Sequence, residues 1–265
     1  MSPSLMPSLL ERYELKYLIP ETMVDPISDF VSAYCSPDYY SEKSADGFYD
    51  VYSLYFDSPD FLFLRKRMEG SENRFNMRIR TYDPVSAIPC FFEVKQKTGG
   101  IVRKYRAAVQ DADWQRVFAD SDYSLHHCDK KEKADLFVRL AFSWQAEPKV
   151  LTCYSRKAYV SDVDDYARVT FDKALKCQPE EKYNLISDPF CMNSYDNDTV
   201  FDPECCVILE LKCYSTQVPL WMLDLIRHFN LQRGSFSKYA ASIFRVRTRF
   251  RYDTADRMPL IPSFA

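Results

Sequence analysis

The chain has 265 residues, 46% of them hydrophobic and 15% aromatic, with only 5 Gly, so it can bury a large core as one big domain or two small ones. A formal net charge of -3 excludes a surface that draws nucleic acid or membrane by overall charge, and any basic site must be local. The 9 Cys show no CxxC spacing and several sit in strand-like runs, which reads as structural thiols in a reducing compartment. In chain order, strand-like runs lie near 11–19, 49–56, 73–83, 90–97, 101–109, 149–160, 166–173 and 205–213, several dominated by Tyr, Phe, Val and Ile. Helical patterns fall at 20–35, at 58–68 behind a Ser cap and a Pro in the first turn, and at 111–120, 130–144, 218–229 and 237–246. The polar, turn-rich stretch 178–203 reads as a long connection between the last two strands. Short links such as "DPVSAI" and "SDVDD" call for antiparallel hairpins, and about eight such strands can close into a barrel.

Charge recurs with a period of two. In "FFEVKQK" (91–97), Phe91, Glu93, Lys95 and Lys97 share one face of a strand, and Phe92, Val94 and Gln96 the other. Likewise Glu14 pairs with Lys16, Arg78 with Arg80, Lys104 with Arg106 and Tyr154 with Arg156. Arg168, Thr170 and Asp172 share a face, as do Glu210 and Lys212, and an apolar face usually lies opposite. One such strand is ordinarily a solvated face. Repeated along the chain, the pattern leaves two arrangements: a cationic exterior, or an apolar exterior covered by helices with the charges lining a tunnel. Amphipathic segments such as "VPLWMLDLIRHF" need an apolar surface to cover, which favours the tunnel. Two cations ~5 Å apart repel by about 3 kcal/mol at an effective dielectric near 20, so such an interior needs an anionic ligand. Glu14, Glu93, Asp172 and Glu210 offset only part of the charge. A chain of phosphates, with a divalent cation held by carboxylate, is the natural counter-ion.

The ordered set "ERYELKY", "RIR", "FEVKQK", "YSRKAY", "RVTFD", "ILELK" and "FSKY" resembles the vacuolar transporter chaperone (VTC) type of polyphosphate polymerase domain, within the triphosphate tunnel metalloenzymes. The similarity runs from about 11 to 245. It implies an α+β fold: an eight-stranded antiparallel β-barrel tunnel with helices packed on its outside, as a single domain over 1–265. It implies transfer of the γ-phosphate of ATP to a growing polyphosphate chain. By matching motif, Lys16, Arg78, Arg80, Lys95, Arg156, Arg168 and Lys238 resemble the phosphate ligands at the reacting centre. Tyr154 and Ser237 assist, Lys212 is a further phosphate-binding candidate, and Glu210 resembles a ligand for Mn²⁺ or Mg²⁺. The strand "VRKYR" supplies one more ligand, with Lys104 preferred to Arg106 and the register left open. Hydrolytic relatives of this fold begin with ExExK, whereas Arg12 stands here in place of the first acid. Fewer carboxylates weaken metal binding and water activation, which favours transfer.

Competing readings are a tripolyphosphatase or nucleoside triphosphatase on the same tunnel, and a non-catalytic sensor of polyphosphate or nucleotides. Nucleic-acid binding is disfavoured by the charge and by aromatics that share strands with core positions. "HHCD" (126–129) has no partner pair at zinc spacing. Neither a secretory signal nor an apolar run of about 18 residues is evident, so the expected setting is the cytoplasm, with ATP and polyphosphate as partners and room for an unidentified membrane partner.

Overall fold

The computed structural model describes residues 12–83, 85–98, 101–194, 206–214 and 217–249. The chain runs β1 (Arg12–Ile19), α1 (Val24–Ser32), β2 (Cys35–Pro37), α2 (Tyr39–Lys43), β3 (Tyr49–Asp57), α3 (Leu62–Met68), β4 (Arg74–Thr81), β5 (Cys90–Thr98) and β6 (Ile101–Val109). It continues through α4 (Lys131–Ser143), β7 (Glu147–Ser161), β8 (Ala167–Pro179), β9 (Asn193–Ser194), β10 (Val207–Tyr214), α5 (Leu220–His228), β11 (Arg233–Gly234) and α6 (Lys238–Arg249). One sheet orders the strands β11-β1-β10-β8-β7-β3-β4-β5-β6, with β2 added to β7 and β9 to β8. Every pairing is antiparallel. The eight expected strands are all present.

Closure is where the structure departs from the expected barrel. Among the described residues no backbone ladder joins β6 to β1. The outer edge of β1 is taken instead by β11, whose Gly234 and Arg233 pair with Lys16 and Tyr17. β11 thus takes the middle of that edge, at Lys16 and Tyr17, and interrupts the run of free donors and acceptors that a β6–β1 ladder would need. The sheet still curls far enough for side chains to bridge its two ends: Lys95 Nζ on β5 lies 2.6 Å from Glu14 Oε2 on β1.

The alternation resolves as the tunnel reading requires. Tyr17, Ile19, Val169, Phe171, Val207, Leu209 and Leu211 turn outward and pack beneath α1 and α5, with Val24, Ile27, Trp221 and Leu225. Leu54, Phe56, Met77, Ile79, Phe92 and Val94 do the same beneath α4, against Ala134, Phe137 and Ala141. Fully burying each large apolar side chain contributes about 1.5–3 kcal/mol, so this covered convex surface is what fixes the orientation of the strands. Trp221 is core, as its helical spacing with Phe229 suggests, while His228 is exposed and stacks on Phe30.

The helix α6 is not outside. Phe236, Tyr239, Ala240 and Ile243, at and within α6, pack on Val51, Tyr55, Val150, Tyr154 and Ile208, which stand on the same strand faces as the charges. α6 therefore fills one end of the concave side. Other local expectations shift as well. The helix expected over 58–68 starts at Leu62, because Phe61 adopts φ 57 and the chain turns before it. Its free N–H groups are held by the buried Asp57 carboxylate, which accepts from Phe63 N at 2.9 Å and Leu64 N at 3.0 Å. Residues 20–35 divide into a 3₁₀ turn, α1 and β2, and 111–120 contains only a 3₁₀ segment over Trp114–Phe118. β8 runs on to Pro179, past Ala174 at φ 52, and the connection after it adds β9.

Candidate functional site: a cationic groove

Strand register gathers the inward charges around buried carboxylates. Glu93 is 2% exposed. It lies 2.7 Å from Arg78, 2.8 Å from Lys104, 3.5 Å from Arg106 and 3.7 Å from Arg80. These cations come from β4 on one side and β6 on the other, because Glu93 pairs with Arg78 across one ladder and with Arg106 across the next. A second cluster sits across the groove. Asp172, 0% exposed, accepts the Arg156 fork through Nε at 2.6 Å and Nη2 at 2.7 Å, and contacts Lys238 Nζ at 2.6 Å. Glu210 beside it meets Lys212 at 2.7 Å, Lys16 at 3.0 Å and Lys238 at 3.9 Å. Towards one rim, Arg168 reaches Asp38 at 2.6 Å.

Burial pushes the Glu93 carboxyl up, but Arg80, Arg78, Lys104 and Arg106 overturn that and hold it well below the usual range. Lys16, Lys212 and Lys238 do the same for Glu210. Asp172, also pushed up by burial, is brought down to about 2 by Arg156 and Lys238. All three are anions at neutral pH. Lys104 behaves differently: burial pulls it down to about 8, and Glu93 restores only part of the loss. The Tyr82 phenol is pushed up by burial and then lowered to about 8 by Arg80 and Arg106.

The groove's cations outnumber its carboxylates, and some donors lack partners. Arg80 Nε, Arg168 Nε, Thr170 Oγ1 and the Tyr154 hydroxyl are buried and find no hydrogen-bond partner among the described residues. An unsatisfied buried polar group costs roughly 1–3 kcal/mol. Forked guanidinium groups and ammonium groups converging from several strands suit a ligand with many anionic oxygens, and Arg is the better of the two at bidentate positions.

A model of the VTC domain matches residues 11–246, which takes in every long strand and most of α6. The chain belongs to the VTC-domain family. No curated protein matches it. Among solved structures, a Bacillus halodurans protein described as a "putative adenylate cyclase" has TM-score 0.48 at 11% identity, over 86% of this chain and 94% of its own. A Pyrococcus horikoshii protein has TM-score 0.43 at 11% identity, over 90% and 99%. A Hippeastrum protein described as a "putative adenylyl cyclase" with a dominant triphosphatase activity has TM-score 0.42 at 14% identity, over 89% and 96%. At these scores they add nothing to the family assignment.

In this VTC domain, Lys16, Arg78, Arg80, Lys95, Lys104, Tyr154, Arg156, Glu210, Lys212 and Lys238 all stand on the concave face or reach into it. Tyr154 lies under two cations, with Lys238 Nζ 4.7 Å and Arg156 Cζ 5.3 Å from its ring centre. Ser237 stands just before α6, its hydroxyl accepting from Ala240 N at 3.4 Å. Arg168 sits at the rim, 35% exposed. Lys104 and Arg106 both contact Glu93, so geometry does not separate them. Asp172 is an internal counter-charge with both oxygens engaged. At "HHCD", Asp111 accepts the backbone N–H of His126 and His127, and among the described residues no group of three His, Cys, Asp or Glu is placed to hold a metal.

Several groove residues escape sequence reading. "YDVYSLYFD" is rich in large residues on both faces, which conceals that Tyr49 and Tyr55 point inward, where Tyr55 accepts from Arg78 at 3.1 Å. Asp38 becomes visible only through the short α2 that it caps. Arg67, near the end of α3, is pulled down by burial and by Arg74, and feels Tyr55 and Glu14. For a metal, an all-protein cage does not fit, since the Glu210 oxygens are each held by lysine. A divalent ion that takes only one or two protein carboxylates would fit. Glu210 and the neighbouring Glu14, whose carboxyl feels the Glu210 charge, are the residues that would hold it.

Proposed function

We propose that this VTC domain is an ATP-dependent polyphosphate polymerase whose sheet closes around its substrate as a tunnel. The carrying observation is the convergence of Arg78, Arg80, Lys104, Arg156, Lys16, Lys212 and Lys238 from many strands onto one groove in which cations outnumber carboxylates. In the reaction, a terminal oxygen of the polyphosphate chain attacks the γ-phosphorus of ATP. The bond from that phosphorus to the bridging oxygen breaks, and ADP leaves with the electron pair. Such a transfer needs in-line positioning and charge neutralisation more than covalent chemistry. Arg78, Arg80, Lys95 and Lys104 would hold one stretch of phosphate, and Lys16, Arg156, Arg168, Lys212 and Lys238 the other, with Tyr154 and Ser237 donating between them. A bound Mn²⁺ or Mg²⁺ would supply Lewis-acid polarisation of phosphate oxygens at Glu210. The groove residues align the two phosphate termini and exclude water.

Incubation with ATP and Mn²⁺ or Mg²⁺, with gel analysis for polymer and a count of ADP against orthophosphate, tests this. Polymer with ADP supports it. Orthophosphate without polymer moves the reading to a tripolyphosphatase or nucleoside triphosphatase, and tight, salt-sensitive binding with no product under any metal moves it to a sensor.

A further inference from the structure

One end of the groove changes from charge to aromatic rings. The Tyr82 ring, just past β4, lies 4.5 Å from that of Tyr40 on α2, 5.5 Å from Phe91 on β5 and 5.8 Å from Tyr49 on β3. Tyr40 is in turn 5.1 Å from Tyr49 and 5.3 Å from the exposed Tyr39. Tyr40, Tyr49, Tyr82 and Phe91 are all only part-buried, so this is not a sealed core. The rings are continuous with the groove's cations. The Arg106 guanidinium lies 3.9 Å over Phe91, and the Tyr82 hydroxyl accepts from Arg80 at 3.4 Å and Arg106 at 3.5 Å. Asp38, which receives Tyr49 Oη at 3.0 Å and Arg168, fastens α2 there.

We propose that this aromatic end is the nucleoside subsite of the groove. A nucleobase would stack on Tyr40 and on the Arg106–Phe91 layer, so that the triphosphate runs inward from Arg106 and Arg80 towards Arg156 and Lys238. Inorganic phosphates have no use for rings, whereas a base has a π-face that stacks on tyrosine or on a guanidinium plane. The subsite therefore separates ATP from its own polymeric product, and because stacking tolerates every base it discriminates weakly among nucleoside triphosphates. This rests on the phosphate-binding reading above.

The test compares ATP with inorganic tripolyphosphate by calorimetry, in wild type, Tyr40→Ala and Tyr40→Leu, the last keeping bulk in place of the ring. Loss of one stacking partner predicts a roughly 5- to 150-fold weaker affinity for ATP in both variants. Tripolyphosphate affinity should stay within about twofold of wild type, which also reports that the groove remains folded. Equal losses for both ligands, or no loss for either, would overturn the subsite while leaving the phosphate reading intact. If wild type bound neither ligand, the phosphate reading itself would fail, and the subsite with it.

Discussion

Glu93→Gln isolates the physics of the groove, because it removes one charge while keeping the shape of the side chain. In wild type that carboxylate stands within 3.7 Å of Arg78, Arg80, Lys104 and Arg106 and is almost wholly buried. Removing one partner of a buried ion pair typically costs 3–5 kcal/mol, since the remaining charges stay desolvated and repel one another. For a domain of about this size each kcal/mol moves Tm by roughly 2–4 °C, so the ligand-free variant should melt about 6–20 °C lower. A polyanion should reverse much of that loss. For a phosphate bound beyond the intervening cations, taken as ~8 Å away, deleting the negative charge relieves about 2 kcal/mol of repulsion at an effective dielectric near 20, or roughly a 30-fold gain in affinity. Differential scanning calorimetry with and without saturating tripolyphosphate reads both effects. If Tm fell by the same amount with and without ligand and affinity were unchanged, the groove's cations would not be arranged for phosphate and the reasoning would be refuted.

Three further outcomes follow from the same geometry. Glu210→Ala should abolish formation of ADP and polymer while ATP still binds, read by product analysis beside calorimetry; retained turnover would remove Glu210 from the reacting centre. Tripolyphosphate binding should weaken as pH rises from 7 to 9, because Lys104 loses its proton near 8 and Tyr82 gains a negative charge near 8, both unfavourable to an anion. Binding at pH 8.5 should take up protons, measured by calorimetry in buffers of different ionisation enthalpy, and Lys104→Met should reduce that uptake. Arg12→Glu, which restores the first acid of the ExExK pattern, should raise the ratio of orthophosphate to polymer, measured by phosphate release against gel analysis.

Period-two charge made much of this site legible in the sequence. Arg78 with Arg80, Arg168 with Asp172, and Glu210 with Lys212 fall on common faces because strand geometry leaves no other choice, and the apolar partners opposite them name the covered side. Register is what a sequence does not display. Nothing in "FFEVKQK" says that Glu93 meets cations from both neighbouring strands, or that Lys95 meets Glu14, 81 positions away. The unclosed sheet is hidden for the same reason, since two-residue β11 carries no strand pattern of its own yet occupies the edge of β1. The aromatic end depends on α2, five residues whose position follows from contacts with β7: Asp38 N to Ala158 O at 2.8 Å and Ala158 N to Ser41 Oγ at 2.9 Å.

The internal carboxylates also bear on how a product could leave. A groove lined only by cations would bind a polyphosphate with an energy that grows with every unit, and a chain held that way could not advance. Glu93, Asp172 and Glu210 each neutralise part of that field, and each is buried among the cations it contacts. Under the proposed function, phosphate would compete with these anions for the same lysines and arginines, which would make each individual contact exchangeable. The cations come from different strands, so a chain moved by one unit would meet further contacts of the same kind. Conduction through ion pathways imposes the same requirement, that sites be favourable enough to enter and numerous and weak enough to leave. Under the proposed polymerisation, the carboxylates are as necessary to the groove as its cations, because turnover needs the product to slide.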